Sequence, residues 1–150
     1  MLEIYVDADA CPVKEETFRV AERYGMPVHL VANGPLRVPP GGLVRMVVVS
    51  DGFDAADNWI AEKCGAGDIV VTADIQLAKR CLEAGAKVLG NNGRPFTAAN
   101  IGSALASRAL MQDLRDMGVV QGGNAPMTKA DKSKFLQELD KMANEVKRGR

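Results

Sequence analysis

Two rhythms of apolar and polar positions divide this chain: short continuous apolar runs, and longer stretches with a helical repeat. The short runs are Leu2–Val6, Pro27–Ala32, Leu43–Ser50, Asp68–Thr72 and Ala86–Leu89. Runs of this length between turn residues predict strands, and Val47-Val48-Val49 has the pattern of a strand covered on both faces. Between them, Val13, Thr17, Val20, Ala21 and Tyr24 share one helical face, while Lys14, Glu15, Arg19, Glu22 and Arg23 fall elsewhere. Pro12 suits the first turn of that helix and Gly25 ends it. A second helix is predicted from about Asp54 to Cys64, closed by Gly65 and Gly67. A third runs from Asp74 to Glu83, burying Leu77, Ala78, Cys81 and Leu82, with Gly85 as its stop. Asn33-Gly34-Pro35, Pro39–Gly42 and Asn91–Pro95 read as turns and loops.

Five apolar strands alternating with helices predict an α/β fold with a mostly parallel, doubly wound, Rossmann-like sheet, taken here in the order 3-2-1-4-5. The domain spans residues 1–117 and closes with a helical stretch from Ala98 to Met117. Residues 118–150 form a C-terminal extension. Its Gly-rich break, Gly118 and Gly122–Pro126, precedes a helix capped by Thr128, with Phe135, Leu139, Met142 and Val146 on one face. That face calls for a surface on the same domain or on a partner.

Composition narrows the chemistry. With 150 residues the chain can bury a real core, and no apolar run approaches a membrane span. No basic-then-apolar leader opens the sequence, so no signal peptide is expected. Cys11, Cys64 and Cys81 are odd in number and lack C-x-x-C spacing, against a disulfide framework or zinc site and in favour of a reducing cytoplasm. Nineteen basic and nineteen acidic side chains cancel, so attraction for nucleic acid has to be local. The one histidine, His29, sits among Val28, Leu30 and Val31 and reads as a structural strand residue.

The acids are the candidate chemistry. Asp7 with Asp9, Asp51, Asp54 with Asp57, and Asp74 all fall at or just past a strand's carboxyl end. In an open α/β sheet that edge holds the ligand crevice. In the order 3-2-1-4-5 the first and fourth strands are neighbours, so Asp7, Asp9 and Asp74 lie side by side. Asp54 and Asp57 are one helical turn apart and face the same edge. Gathered carboxylates repel unless protons or a cation neutralise them. Oxygen ligands without histidine or thiolate favour Mg2+ or Mn2+. Each aspartate also stands where a helix wants a cap, and capping alone explains any one of them.

Four stretches carry a resemblance: Ile4–Pro12, Asp51-Gly52-Phe53-Asp54-Ala55-Ala56-Asp57, Val71–Ala78 and Gly123-Asn124-Ala125-Pro126. Over nearly the whole chain they resemble the YaiI/YqxD family of bacterial proteins of uncharacterised function. A more distant similarity is to PIN-like nuclease domains. There a first-strand Asp, a mid-chain helical acid and the Asp of a T-x-D pattern hold magnesium or manganese. This resemblance implies Asp7, Asp57 and Asp74 as catalytic metal ligands with Asp9 nearby, and leaves Asp51 and Asp54 without a set role.

The leading expectation is a metal-dependent nuclease, with RNA as the substrate. Ser50, Asn91, Asn92 and Arg94 are candidate substrate-binding residues near the crevice, although Asn-Gly and Ser-Asp-Gly are also turn signals. Asp7-x-Asp9 also resembles the first motif of haloacid-dehalogenase-type phosphatases. That similarity implies Asp7 as nucleophile, Asp9 as general acid, Ser50 as phosphate ligand and Asp74 as metal ligand; it leaves the motif's lysine unplaced, and Cys11 stands where the motif has threonine or valine. A third reading is a non-catalytic domain that binds nucleic acid or a protein. Lys129, Lys132, Lys134, Arg148 and Arg150 make the tail locally basic, interleaved with acids. Expected partners are RNA or another nucleic acid, with homo-oligomers allowed and no membrane.

Overall fold

A computed structural model of the chain describes residues 2–8, 11–50, 55–102 and 127–148. In chain order the described elements are β1 (Ile4–Asp7), α1 (Lys14–Tyr24), β2 (Val28–Ala32), β3 (Val44–Val48), α2 (Ala55–Lys63), β4 (Ile69–Val71), α3 (Ile75–Glu83), β5 (Lys87–Leu89), β6 (Pro95–Phe96), α4 (Ala98–Gly102) and α5 (Lys129–Lys147). They form one sheet in the order β3-β2-β1-β4-β5-β6. The first five strands in that order are parallel, and β6 runs antiparallel to β5. The order expected from the sequence holds, and β1 is flanked by β2 and β4.

Alternation along β1 sets the two layers. Ile4 and Val6 point to one face of the sheet, where α1 supplies Val20 and Ala21 and α5 supplies Phe135, Leu139, Ala143 and Val146. Tyr5 points to the other face, where α2 supplies Ala56 and Ile60 and α3 supplies Leu77, Ala78 and Cys81. Gly25 caps α1 in the left-handed conformation, and Thr128 closes a reciprocal capping box with Asp131 at the start of α5. The last helix thus packs on its own chain. Burying a side chain such as Phe135 is worth about 2–3 kcal/mol. The exposed Arg23–Asp140 ion pair between α1 and α5 adds at most about 1 kcal/mol, so apolar burial holds α5 in place.

Two expectations change. The sheet has six strands rather than five, because the stretch read as a loop folds back into β6. Gly93 N–H donates to Gly90 O, Gly90 N–H donates to Arg94 O, and Asn92 Oδ1 accepts from Arg94 N–H. This turn sets Pro95 opposite Leu89 and Phe96 opposite Val88. A two-residue strand is too short to show a period, and its proline is tolerated because the strand lies at an edge. Gly93 is required there twice over: its φ is +82°, and a Cβ would lie 3.1 Å from the Phe135 backbone.

The valine run also behaves differently. β3 is the opposite edge of the sheet, not a strand covered on both faces, and Val48 is 54% exposed. A continuous apolar run does not distinguish an edge strand from a central one, since only the missing neighbour differs. The helix expected over Ala98–Met117 is described as α4 up to Gly102; residues 103–117 and the break at 118–126 lie outside the described residues. No helix among the described residues is long and apolar enough to cross a membrane.

Candidate functional site

At the carboxyl edge, the end of β1 sits against the end of β4. The ladder pairs Val6 with Val71, so Asp7 and Thr72 leave the sheet at the same level. Pairing continues briefly beyond both strands, with Ala8 N–H donating to Val31 O at 2.9 Å and Thr72 N–H to Leu89 O at 3.1 Å. Thr72 is buried and works in two directions. Its hydroxyl donates to Asp7 Oδ2 at 2.9 Å and accepts from the Asp74 N–H at 3.0 Å. One threonine therefore links both aspartates.

Asp74 is also the N-cap of α3. Its Oδ1 accepts from the N–H groups of Gln76 at 2.8 Å and Leu77 at 3.3 Å, pairing two donors that the helix itself cannot satisfy. The capping explanation accounts for this oxygen, while Asp74 Oδ2 has no hydrogen bond among the described residues. Asp57 stands in the first turn of α2, near enough to α3 for its charge to act on the Cys81 thiol. Among the described residues, no three His, Cys, Asp or Glu side chains converge so as to hold a metal ion. Asp9, Asp51 and Asp54 lie outside those residues.

The third strand end adds a neutral group. Asn91 follows β5, next to β4, and is 3% exposed. Its Oδ1 has no hydrogen-bond partner among the described residues. A buried amide oxygen left this way costs about 1–3 kcal/mol. Asn92 and Arg94 belong to the turn that reverses the chain into β6, with Asn92 as its builder. Ser50 follows β3, two strands from β1, so about 10 Å of sheet separates it from Asp7. Its carbonyl accepts from Asn33 Nδ2. That spacing weighs against Ser50 sharing a phosphate with Asp7.

Cys11 lies at the same end of the sheet but is buried in the core under α1. Burial pushes its thiol up to about 11, and the Asp7 charge acts in the same direction. A thiol held neutral in this way packs rather than attacks. His29 is tied to Glu3 Oε1 through Nε2 and stacks on Tyr5 with ring centroids 4.7 Å apart. Trp59 tilts against both rings. This aromatic group braces α2 against the sheet, as a structural histidine does. Cys64, just past α2, and Cys81 on α3 act on each other's thiols, lowering the Cys64 pKa and raising that of Cys81.

Thr72 is the site residue that the acid pattern alone passes over. Its signal was the T-x-D spacing behind a buried strand, Val71-Thr72-Ala73-Asp74.

Similarity to other proteins covers the same elements. A family model described as the uncharacterised BCR, YaiI/YqxD family matches residues 5–145. A UPF0178 protein of Rhodospirillum centenum is 65% identical over 154 residues, covering all of both chains. One from Sphingopyxis alaskensis is 61% identical, covering 97% of this chain and 96% of its own. One from Rhodospirillum rubrum is 53% identical, covering 99% and 100%. No solved structure matches the chain.

Proposed function

Since the chain belongs to the YaiI/YqxD family, described only as uncharacterised, we propose its activity from its own geometry: divalent-metal-dependent hydrolysis of phosphodiesters, with RNA as substrate, at the carboxyl edge of the sheet. One observation carries this reading, the joining of Asp7 and Asp74 through Thr72 at the ends of adjacent strands. A helix cap needs only Asp74. It gives no reason for the Asp7 carboxylate to be held by the same buried hydroxyl that receives the Asp74 backbone N–H.

The donors suit a hard cation. Asp7 and Asp74 bring carboxylate oxygens, and the unpartnered Asn91 Oδ1 brings a neutral one at the next strand end. Oxygen donors of this kind favour Mg2+ or Mn2+. The set is incomplete among the described residues, and the sequence offers Asp9, Asp51 and Asp54 beyond them. When bound, such an ion polarises a phosphoryl oxygen and makes its water more acidic. For the chain's own part, Thr72 fixes the Asp7 carboxylate, and the α3 cap fixes Asp74. Arg94, exposed on the turn after Asn91, supplies a positive charge on the same edge for the substrate's phosphate. The likeness of the acidic motifs to PIN-like domains supports the choice of a phosphodiester.

Thermal melts test this reading. Manganese at a hundredfold excess over its Kd stabilises a binding protein by about 2.7 kcal/mol. The expected outcome is a rise in wild-type Tm with manganese that is absent in Asp7→Asn and reduced in Asp74→Ala, with RNA cleavage by wild type alone. In chelator, Asp74→Ala loses about 1 kcal/mol from the cap. Equal stabilisation of all three proteins by manganese overturns the assignment.

A further inference from the structure

The chain is neutral overall, but its charges are not evenly spread. α1 and α5 lie side by side, and a groove runs between them. One part, a cavity of about 430 Å³, is lined by Arg19, Arg23, Leu136 and Asp140. It continues into a second cavity of about 220 Å³, lined by Glu16, Arg19, Lys129, Lys132 and Leu136. Arg19 and Leu136 belong to both, so the two form one track.

Four cations and two acids face that track. Asp140 is taken up by Arg23 at 3.2 Å. No carboxylate pairs with Arg19, Lys129 or Lys132 among the described residues. Arg19 and Arg23 are one turn apart on α1, about 6 Å along its axis. Lys129 and Lys132 are likewise one turn apart on α5. Positive charge repeated at one-turn intervals along a groove suits a linear polyanion better than a point anion. The floor is Val20, itself buried, and the half-buried Leu136, with no open apolar pocket of the kind an amphipathic helix needs. Adjacent helices pack 8–10 Å apart, too close for a duplex to enter between them.

We propose that the α1–α5 groove binds the phosphodiester backbone of single-stranded nucleic acid, without reading its sequence. The inference does not depend on hydrolysis. Binding is measured in chelator, where the proposed metal chemistry is silent, so failure of one reading is distinguishable from failure of the other.

The probe is a fluorescein-labelled oligouridylate of twelve nucleotides, followed by fluorescence anisotropy. Three unpaired cations give a log–log salt slope of about −2 for a single strand, or roughly fifteenfold weaker binding at 200 mM than at 50 mM salt. Arg19→Glu with Lys132→Glu is expected to weaken binding more than tenfold and to flatten that slope. Arg45→Glu with Lys79→Glu makes the same change in net charge on β3 and α3 and is expected to leave binding within twofold. If the reversals disturb folding by circular dichroism, Arg19→Gln with Lys132→Gln replaces them, with a fivefold loss expected. Absence of salt-dependent binding overturns the proposal, as does an equal loss in both double variants. Preference for polyglutamate over oligouridylate overturns it in favour of an acidic protein partner.

Discussion

At the amino end of the sheet, Asp68 gives one carboxylate oxygen to the Glu3 N–H and the other to the Gly65 N–H, whereas at the carboxyl end Asn91 carries a buried Oδ1 with no hydrogen bond among the described residues. Both residues are almost wholly buried. Asp68 is explained by the fold, since it ties the start of β1 to the turn before β4. His29 and Glu3 close on each other nearby, and the Tyr5 hydroxyl reaches Lys63 O. The carboxyl end instead collects Asp7, Thr72, Asp74 and Asn91 without pairing every polar atom. A buried polar group that the chain itself satisfies reports on architecture. One left unsatisfied among the described residues calls for an explanation that their packing does not supply.

The sharpest way to break this contrast is at Asp68. Asp68→Ala strands two backbone N–H groups and is expected to cost about 3 kcal/mol, read as a lower urea midpoint with unchanged slope. A loss below about 1 kcal/mol removes Asp68 from the framework. The next effect is alkaline. Burial, reinforced by Asp68, Glu3 and Cys64, raises the Tyr5 hydroxyl to about 12 from its ordinary 10. An acid whose folded pKa is raised contributes stability below its unfolded pKa and loses it as pH climbs through the folded one. Stability is therefore expected to fall between pH 10 and 12, by about 1 kcal/mol once solvent screening of the hydroxyl is allowed for. Tyr5→Phe should flatten that fall in urea titrations at pH 9.5 and 11.5; an unchanged fall assigns it to other groups. The smallest effect belongs to Asn91. Asn91→Leu removes an amide oxygen with no partner among the described residues, in a side chain of similar size, and is expected to leave stability unchanged or raise it by up to about 1 kcal/mol in chelator. A clear loss would mean that Asn91 serves the fold after all.

Much of this contrast was legible in the sequence at one end and hidden at the other. Strand-ending aspartates at Asp7 and Asp74 were readable because βα units announce themselves by apolar runs, and the order 3-2-1-4-5 makes their strands neighbours. The hydroxyl bridge from Thr72 was not, since it depends on a register that sets Thr72 level with Asp7. Asp68 passed as the first residue of a strand; its bonds to Glu3 and Gly65 join segments whose proximity only the folded sheet creates. Arg19 and Lys132 looked like separate solvated charges, because more than a hundred residues divide the helices that bring them together. Asp57 is readable as an acid in the first turn of α2, but that its charge also reaches Cys81 on α3 depends on how the two helices pack.

The placement of α5 also fixes an order of events. Arg23 and Asp140, which meet across the α1–α5 contact, are separated by 117 positions. At 5–20 residues per second, a ribosome takes roughly 6–25 s to make the chain between them. Throughout that interval β1 and its neighbours have α1 on one face but not Phe135, Leu139 or Val146. Among the described elements, the strand made earliest waits for α5, with one face half-covered through most of synthesis.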